Sequence, residues 1–369
     1  MLLPKNIRPF EGNIVSFLQK GLVLWYKENH RSLPWRETKD PYLIWISEII
    51  LQQTRVDQGW EYYLRFTNSF PNIHSLAAAD EEEVLKMWQG LGYYSRARNL
   101  HATAKRLVSD FNGAFPQDHA AVLSLKGIGE YTAAAICSFA WNLPYSAVDG
   151  NVYRVLARLF AIDTPIDSGK GKKEFLELAT LLLNKQTPGL HNQALMEFGA
   201  LQCVPQKPDC DACPFAERCM AYTAGMATSF PIKQHKTKVR HRHFHYFHIQ
   251  CGQQILLHRR KEKDIWQGLY ELPLIETTKA MDFSDLQKTA AFIEWFAETK
   301  GLCVRLALKG TKHVLSHQVL FANFYQVEMN ILPEKLERFR MVSAEEADGM
   351  AMPRLIEAYF EKNNGYLLF

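Results

Sequence analysis

No apolar run in the 369-residue sequence approaches the length of a membrane span. The first residues, MLLPKNIRPFEG, lack the apolar core of a secretory signal. A cytoplasmic protein without a membrane partner is the expectation. Internal repeats and low-complexity tracts are also lacking. Charge of one sign is scarce: 43 Lys and Arg against 39 Asp and Glu leave +4, compatible with nucleic acid but too little to argue for it. Cysteine is sparse and odd in number, seven in all, which argues against a disulfide framework. What is present, 47% hydrophobic and 22% charged residues, suffices for two domains with proper cores.

Residues 1–222 read as all-α. Apolar positions recur at helical spacing in FEGNIVSFLQKGLVLWYKEN, EEEVLKMWQGL and ARNLHATAKRLVSDF, with Asp80 placed to cap the second. Residues 223–240 are polar, basic and carry a proline, as a linker does. Residues 241–369 change pattern. FHYFHIQC, QQILLHRRK and LFANFYQVEM alternate like strands, and DLQKTAAFIEWFAETKG and PRLIEAYFEKN read as helices, giving a smaller α+β domain.

Four of the cysteines, Cys203, Cys210, Cys213 and Cys219, are spaced C-x6-C-x2-C-x5-C. Four thiolates in one short loop suit a cubane iron–sulfur cluster, each binding one iron. Structural zinc is the rival, although it more often uses two C-x2-C knuckles and only one is present. Cys137, Cys251 and Cys303 are isolated and read as packing residues.

Glu48 stands in the otherwise apolar run LIWISEII. A buried carboxylate pairs, neutralises or works. Read as one helix, the segment sets Trp45, Gln52 and Arg55 on the face of Glu48, so pairing with Arg55 and service as a protonated acid are both open. In VLSLKGIGEYTAAA a helix ends at Leu125, the chain turns through Gly127 and Gly129, and a new helix starts. Such a turn can hold a phosphate on backbone N–H groups, or be a plain tight turn. Asp149 in AVDGNVYRV reads on its own as a helix cap.

LKGIGEYTA, VDGNV and the four-cysteine loop together resemble the helix-hairpin-helix DNA glycosylases that carry an iron–sulfur cluster. Where the lyase branch has a hairpin lysine, this sequence has Tyr131. The resemblance is therefore to the adenine DNA glycosylases (the MutY type), and LPWR at 33–36, SEIILQQTR at 47–55 and GLGYYSRARNL at 90–100 match that branch. The resemblance implies a catalytic region of two helical lobes, residues 31–134 forming a barrel-like lobe and 1–30 with 135–222 a lobe holding a [4Fe-4S] cluster on the four cysteines. It implies a monomeric, monofunctional N-glycosylase of base excision repair, nucleoid-associated in a bacterium, that flips adenine out of duplex DNA at A:8-oxoguanine or A:G mispairs. Glu48 would be the general acid, Asp149 the carboxylate facing the sugar cation, and Tyr131 and Asn151 their orienting neighbours. Gln53, Thr54, Leu91 and Tyr93 would probe or wedge the duplex, Gly127 and Gly129 hold a phosphate, and Arg36 and Gln193 line the adenine pocket. Glu130 stands where the family often has proline.

The second half resembles a Nudix domain around KDIWQGLYELPLIE. Of the acid run that holds magnesium in Nudix hydrolases, the stretch from Glu294 to Lys300 keeps one glutamate, so diphosphate hydrolysis is disfavoured. The family's lesion-recognition loop corresponds to HVLSHQ, where Ser316 and His317 would contact 8-oxoguanine and Leu315 replaces an aromatic residue. The rival readings are a bifunctional glycosylase/lyase, a non-catalytic iron–sulfur DNA-binding protein and a diphosphatase.

Overall fold

The computed structural model describes residues 14–234, 239–299, 301–363 and 365–368. Residues 235–238 of the linker expected over 223–240, the first residues of the expected N-terminal helix and Lys300 of the acid run lie outside the described residues. Helices run in the order α1 Ile14–Asn29, α2 Pro41–Ile50, α3 Val56–Ser69, α4 Ile73–Ala78, α5 Glu81–Met87, α6 Ser95–Phe111, α7 His119–Leu123, α8 Glu130–Trp141, α9 Gly150–Leu159, α10 Gly169–Leu182, α11 Pro188–Leu201 and α12 Met220–Thr223. The chain divides into two compact units. One comprises residues up to Ala78 together with those from Ala102 to the end of the first half; the other comprises Ala79–His101 and the second half.

Among the described residues of the first unit, helices are joined by turns and loops and no strand occurs. Leu18, Leu22 and Trp25 of α1, Val155 and Leu156 of α9, Phe175 and Leu178 of α10 and Phe198 of α11 form one core. Phe215, from the cysteine loop, packs edge-on to Phe198 in that core. Elsewhere in the unit, α2 packs on α3 and α8. Asp40 starts α2 by accepting from Tyr42 N–H at 2.8 Å, with Pro41 at the first position. The helix stops at Ile50, and Gln53 takes a left-handed backbone with φ 61°. The single helical face drawn from Trp45 to Arg55 is therefore corrected: Arg55 lies beyond the turn and caps α3. At the hairpin, Gly127 adopts φ 80°, which favours glycine, and Thr103 pins the turn by donating to the Lys126 carbonyl at 2.7 Å.

The second unit is a mixed sheet with helices on both faces. Its strands are β1 Arg240–Cys251, β2 Gln254–Arg259, β3 Tyr270–Glu271, β4 Leu274–Thr277, β5 Val304–Val314, β6 Gln318–Met329 and β7 Arg340–Ser343. The order is β3-β2-β1-β6-β5, with β4 also on β1 and β7 on β2. β1 and β6 run parallel along their full lengths. The expected helix over 285–301 is instead two short ones, α13 Phe283–Leu286 and α14 Ala290–Phe296, because Thr289 accepts from Phe292 N–H and starts a new helix. Phe292, Trp295 and Phe296 of α14 cover Phe247 on one face. After α15 Ala344–Gly349, α16 Arg354–Lys362 covers the other face, with Tyr359 stacked on Phe324 at 4.4 Å. Leu85 of α5 lies against Gly268, and Lys86 donates to the carbonyl of Asp348 at 2.5 Å, so Ala79–His101 is an integral part of this unit.

Candidate active site

A cavity of 860 Å³ in the helical unit is lined by Arg36, Glu48, Gln53, Thr54, Tyr131, Asp149, Asn151, Gln193 and Glu197, among others. They come from the short turn Pro34–Arg36, the end of α2 and the turn after it, the first turn of α8, the start of α9 and one face of α11. The catalytic candidates from the first unit, distant in sequence, are thus brought to one wall system.

The hydrogen-bonding partner of Glu48 is Tyr131, whose hydroxyl donates to Oε2 at 2.5 Å. Burial pushes the Glu48 carboxyl up to about 7. The Tyr131 bond pulls against that shift, the charge of Asp149 adds to it and that of Arg36 opposes it. Tyr131 is itself raised well above 10 by burial and the two carboxylates, so it holds its proton and acts as donor.

Asp149 is the N-cap of α9 and accepts from Val152 N–H at 2.8 Å and from Asn151 Nδ2 at 2.7 Å. Burial raises its carboxyl as well; these two donors, the Asn151 N–H and the charge of Arg154 oppose the rise. Arg154 fixes the Asn151 amide by donating to Oδ1 at 2.8 Å, and it also donates to the carbonyls of Gly199 at 2.6 Å and Cys203 at 2.7 Å. Close approach of α11 to α9 needs Gly199, because a Cβ there would stand 2.7 Å from the Asn151 Cβ.

Glu197 is a site residue that the sequence reading does not single out. It is fully buried, accepts from Arg31 Nε at 2.8 Å and Nη2 at 2.6 Å, and from Arg36 Nη2 at 2.5 Å. Burial alone would raise it, yet the arginine bonds hold it at about 2. A signal for it exists in the sequence: a lone acid in the apolar helix ALMEFGAL, the same misfit that marks Glu48.

Other candidates take varied positions. Gln53 and Tyr93 both have left-handed backbones, φ 61° and 46°, and both are exposed. Leu91 is buried within the second unit, so its side chain is core rather than a presented wedge. Also in that unit, the Tyr93 hydroxyl donates to Ser316 Oγ. Ser316 and His317 are exposed in the three-residue turn between β5 and β6, closed by Leu315 N–H to the Gln318 carbonyl at 2.8 Å. Gly129 caps α8, and Glu130 beside it is exposed.

The four cysteines surround a small apolar cavity of 30 Å³, lined also by Arg158 and Phe198. All four are free thiols, and Arg158 Nη1 donates to Cys203 Sγ at 3.3 Å. Among the described residues, no group of three or more His, Cys, Asp or Glu is placed to hold a metal ion. Four sulfurs disposed about a void, with a cationic donor on one of them, fit a polynuclear cluster.

Residues 46–180 match the family model for HhH-GPD superfamily base excision DNA repair proteins, and residues 245–362 match that for a NUDIX domain. An adenine DNA glycosylase of Buchnera aphidicola subsp. Baizongia pistaciae is 35% identical over 309 residues, 82% of this chain and 83% of that protein. The chain belongs to the adenine DNA glycosylase family. The family member of Arabidopsis thaliana is 36% identical over 313 residues, 74% of this chain and 50% of that longer one. In structure, the chain is similar to a thermostable thymine-DNA glycosylase at a TM-score of 0.54 and 29% identity, over 57% of this chain and 97% of that one. As an adenine DNA glycosylase family member the protein is a DNA repair enzyme that acts on DNA. No described helix is long and apolar enough to cross a membrane.

Proposed function

We propose that the protein is a monofunctional, monomeric glycosylase that excises adenine opposite 8-oxoguanine or guanine in duplex DNA. The observation that carries this reading is the pair of buried carboxyl groups with different partners: Glu48 with one neutral donor and a pKa of about 7, Asp149 with two donors. Adenine leaves poorly as an anion, so cleavage calls for a proton on the base and a negative charge near the sugar. Glu48 delivers its proton to a ring nitrogen of the flipped adenine. The glycosidic bond breaks, its electron pair leaves on the base, and the Asp149 carboxylate stabilises the cation at C1′. Water then adds at C1′, and its proton returns to Glu48. Tyr131 holds Glu48 and Asn151 holds Asp149, and Arg36 and Gln193, which line the same cavity, would face the base.

Gln53, Thr54 and Tyr93 are assigned to the opened duplex, the Gly127–Gly129 turn to a backbone phosphate, and Ser316 and His317 to the lesion. Cys203, Cys210, Cys213 and Cys219 would hold a [4Fe-4S] cluster. When bound, that group supplies a covalent clamp on the loop that Arg154 and Arg158 join to α9. Glu48→Gln is expected to abolish release of adenine from an A:8-oxoguanine duplex while DNA binding persists; near-normal turnover would sink the assignment. Ser316→Ala with His317→Ala is expected to erase the preference for A:8-oxoguanine over A:G. Absence of an adduct on borohydride treatment separates this reading from a lyase.

A further inference from the structure

We infer that half of one sheet face in the second unit, left uncovered among the described residues beside the turn at 315–317, is a contact platform for the DNA strand that carries the lesion. Alternation along β1 puts His241, His243, His245 and Phe247 on one face. The Phe247 end of that face is covered by α14, and Tyr325 beside it is stacked on Phe247 and packed by Phe283. The other end carries two transverse rows. Val314, Val319 and His241 are paired across β5, β6 and β1, as are Lys312, Phe321 and His243. His243 stacks on the Phe321 ring at 5.3 Å and 16°, and His241 meets it edge-on at 5.8 Å. Val314 is 65% exposed, and His241 and Lys312 are exposed.

An uncovered sheet face with a stacked aromatic pair, a cation and no acid in either row matches the chemistry of a nucleic acid strand: rings for a base or sugar, the ammonium for a phosphate. Same-face rows are about 6.8 Å apart, about two base-pair rises along a duplex. The first row adjoins the turn, since Arg240 N–H donates to the His317 carbonyl at 2.9 Å. A strand read at Ser316 and His317 therefore continues over Val319 and then Phe321. This rests on the proposal that the turn faces the lesion, and it adds residues that bind without discriminating.

The test is the full-length His241→Ala/Lys312→Ala protein, both side chains being exposed, titrated with A:8-oxoguanine and A:G duplexes over a series of salt concentrations. Affinity is expected to fall about tenfold on both duplexes, and the slope of log K against log salt to shrink by about 1. Lys312→Arg alone should keep the slope. Unchanged affinity and slope in the double variant overturn the platform. Photocross-linking from 5-iodouracil placed two or three nucleotides from the lesion should label the peptide holding Phe321; labelling confined to other peptides also overturns it. If Ser316→Ala/His317→Ala keeps its preference while the platform variant loses affinity, the lesion assignment fails and the platform stands.

Discussion

Glu48 makes the stability of the helical unit depend on pH in a calculable way. Its carboxyl titrates at about 7 when folded, against 4.5 when free. A carboxyl raised on folding is tolerated below the unfolded value and destabilises increasingly as pH rises through the folded one. A tenfold change in an acid's dissociation constant is worth about 1.4 kcal/mol, so the full penalty above pH 8 is about 3 kcal/mol. At pH 5 it is under about 1 kcal/mol by the same linkage. Glu48→Gln keeps an acceptor for Tyr131 and cannot ionise. The cost of its amide protons is constant with pH, so the change across pH isolates the carboxyl. The variant should gain about 2–3 kcal/mol on the wild type between pH 5 and pH 9, about 5–10 °C in the transition of a unit this size. Calorimetry across that range measures it. A difference that stays flat with pH would refute the claim that burial holds Glu48 neutral, whatever the variant does to catalysis.

Tyr131→Phe removes the bond that lowers the Glu48 pKa. The alkaline limb of single-turnover adenine release, centred near pH 7 in the wild type, should move to a pH higher by about one. Arg154→Ala frees the Asn151 amide from its clamp and should slow base release by up to about 100-fold, with binding of the duplex little changed. Glu197→Gln strips the shared partner from Arg31 and Arg36 and should cost about 3 kcal/mol at neutral pH. Because the folded value of Glu197 is depressed to about 2, that difference should persist above pH 4.5 and fade as pH drops towards 2, as seen by denaturant unfolding.

Local signals carry much of the reading. The 3.6-residue period marks α1, α5 and α6, the glycines mark the hairpin, and the cysteine spacing marks the loop that encloses the small cavity. A lone acid in an apolar helix marks Glu48, and the same signal at Glu197 shows its limit. One glutamate meets a tyrosine and the other two arginines, and these partners lie 83 and more than 160 residues away. The charge state of a buried acid is thus set by distant chain, which periodicity does not encode. Parallel pairing of β1 with β6 and the assignment of Ala79–His101 to the sheet unit are non-local in the same sense. The split of the helix expected over 285–301 is local, and the capping threonine at 289 is its overlooked sign.

The packing of Ala79–His101 on the second half means that the chain visits the sheet unit twice. Glu82 accepts from the Tyr270 hydroxyl at 2.8 Å, the side-chain amide of Gln89 accepts from Met352 N–H, and Arg98 donates to the Gln267 carbonyl. A protease cut in the segment that follows residue 234 would therefore nick the protein without releasing either half. A gene truncated there would encode an α5 whose Leu85 had lost Gly268 and whose Glu82 had lost Tyr270, so the second half cannot be removed at that point without stripping residues 79–101 of their partners.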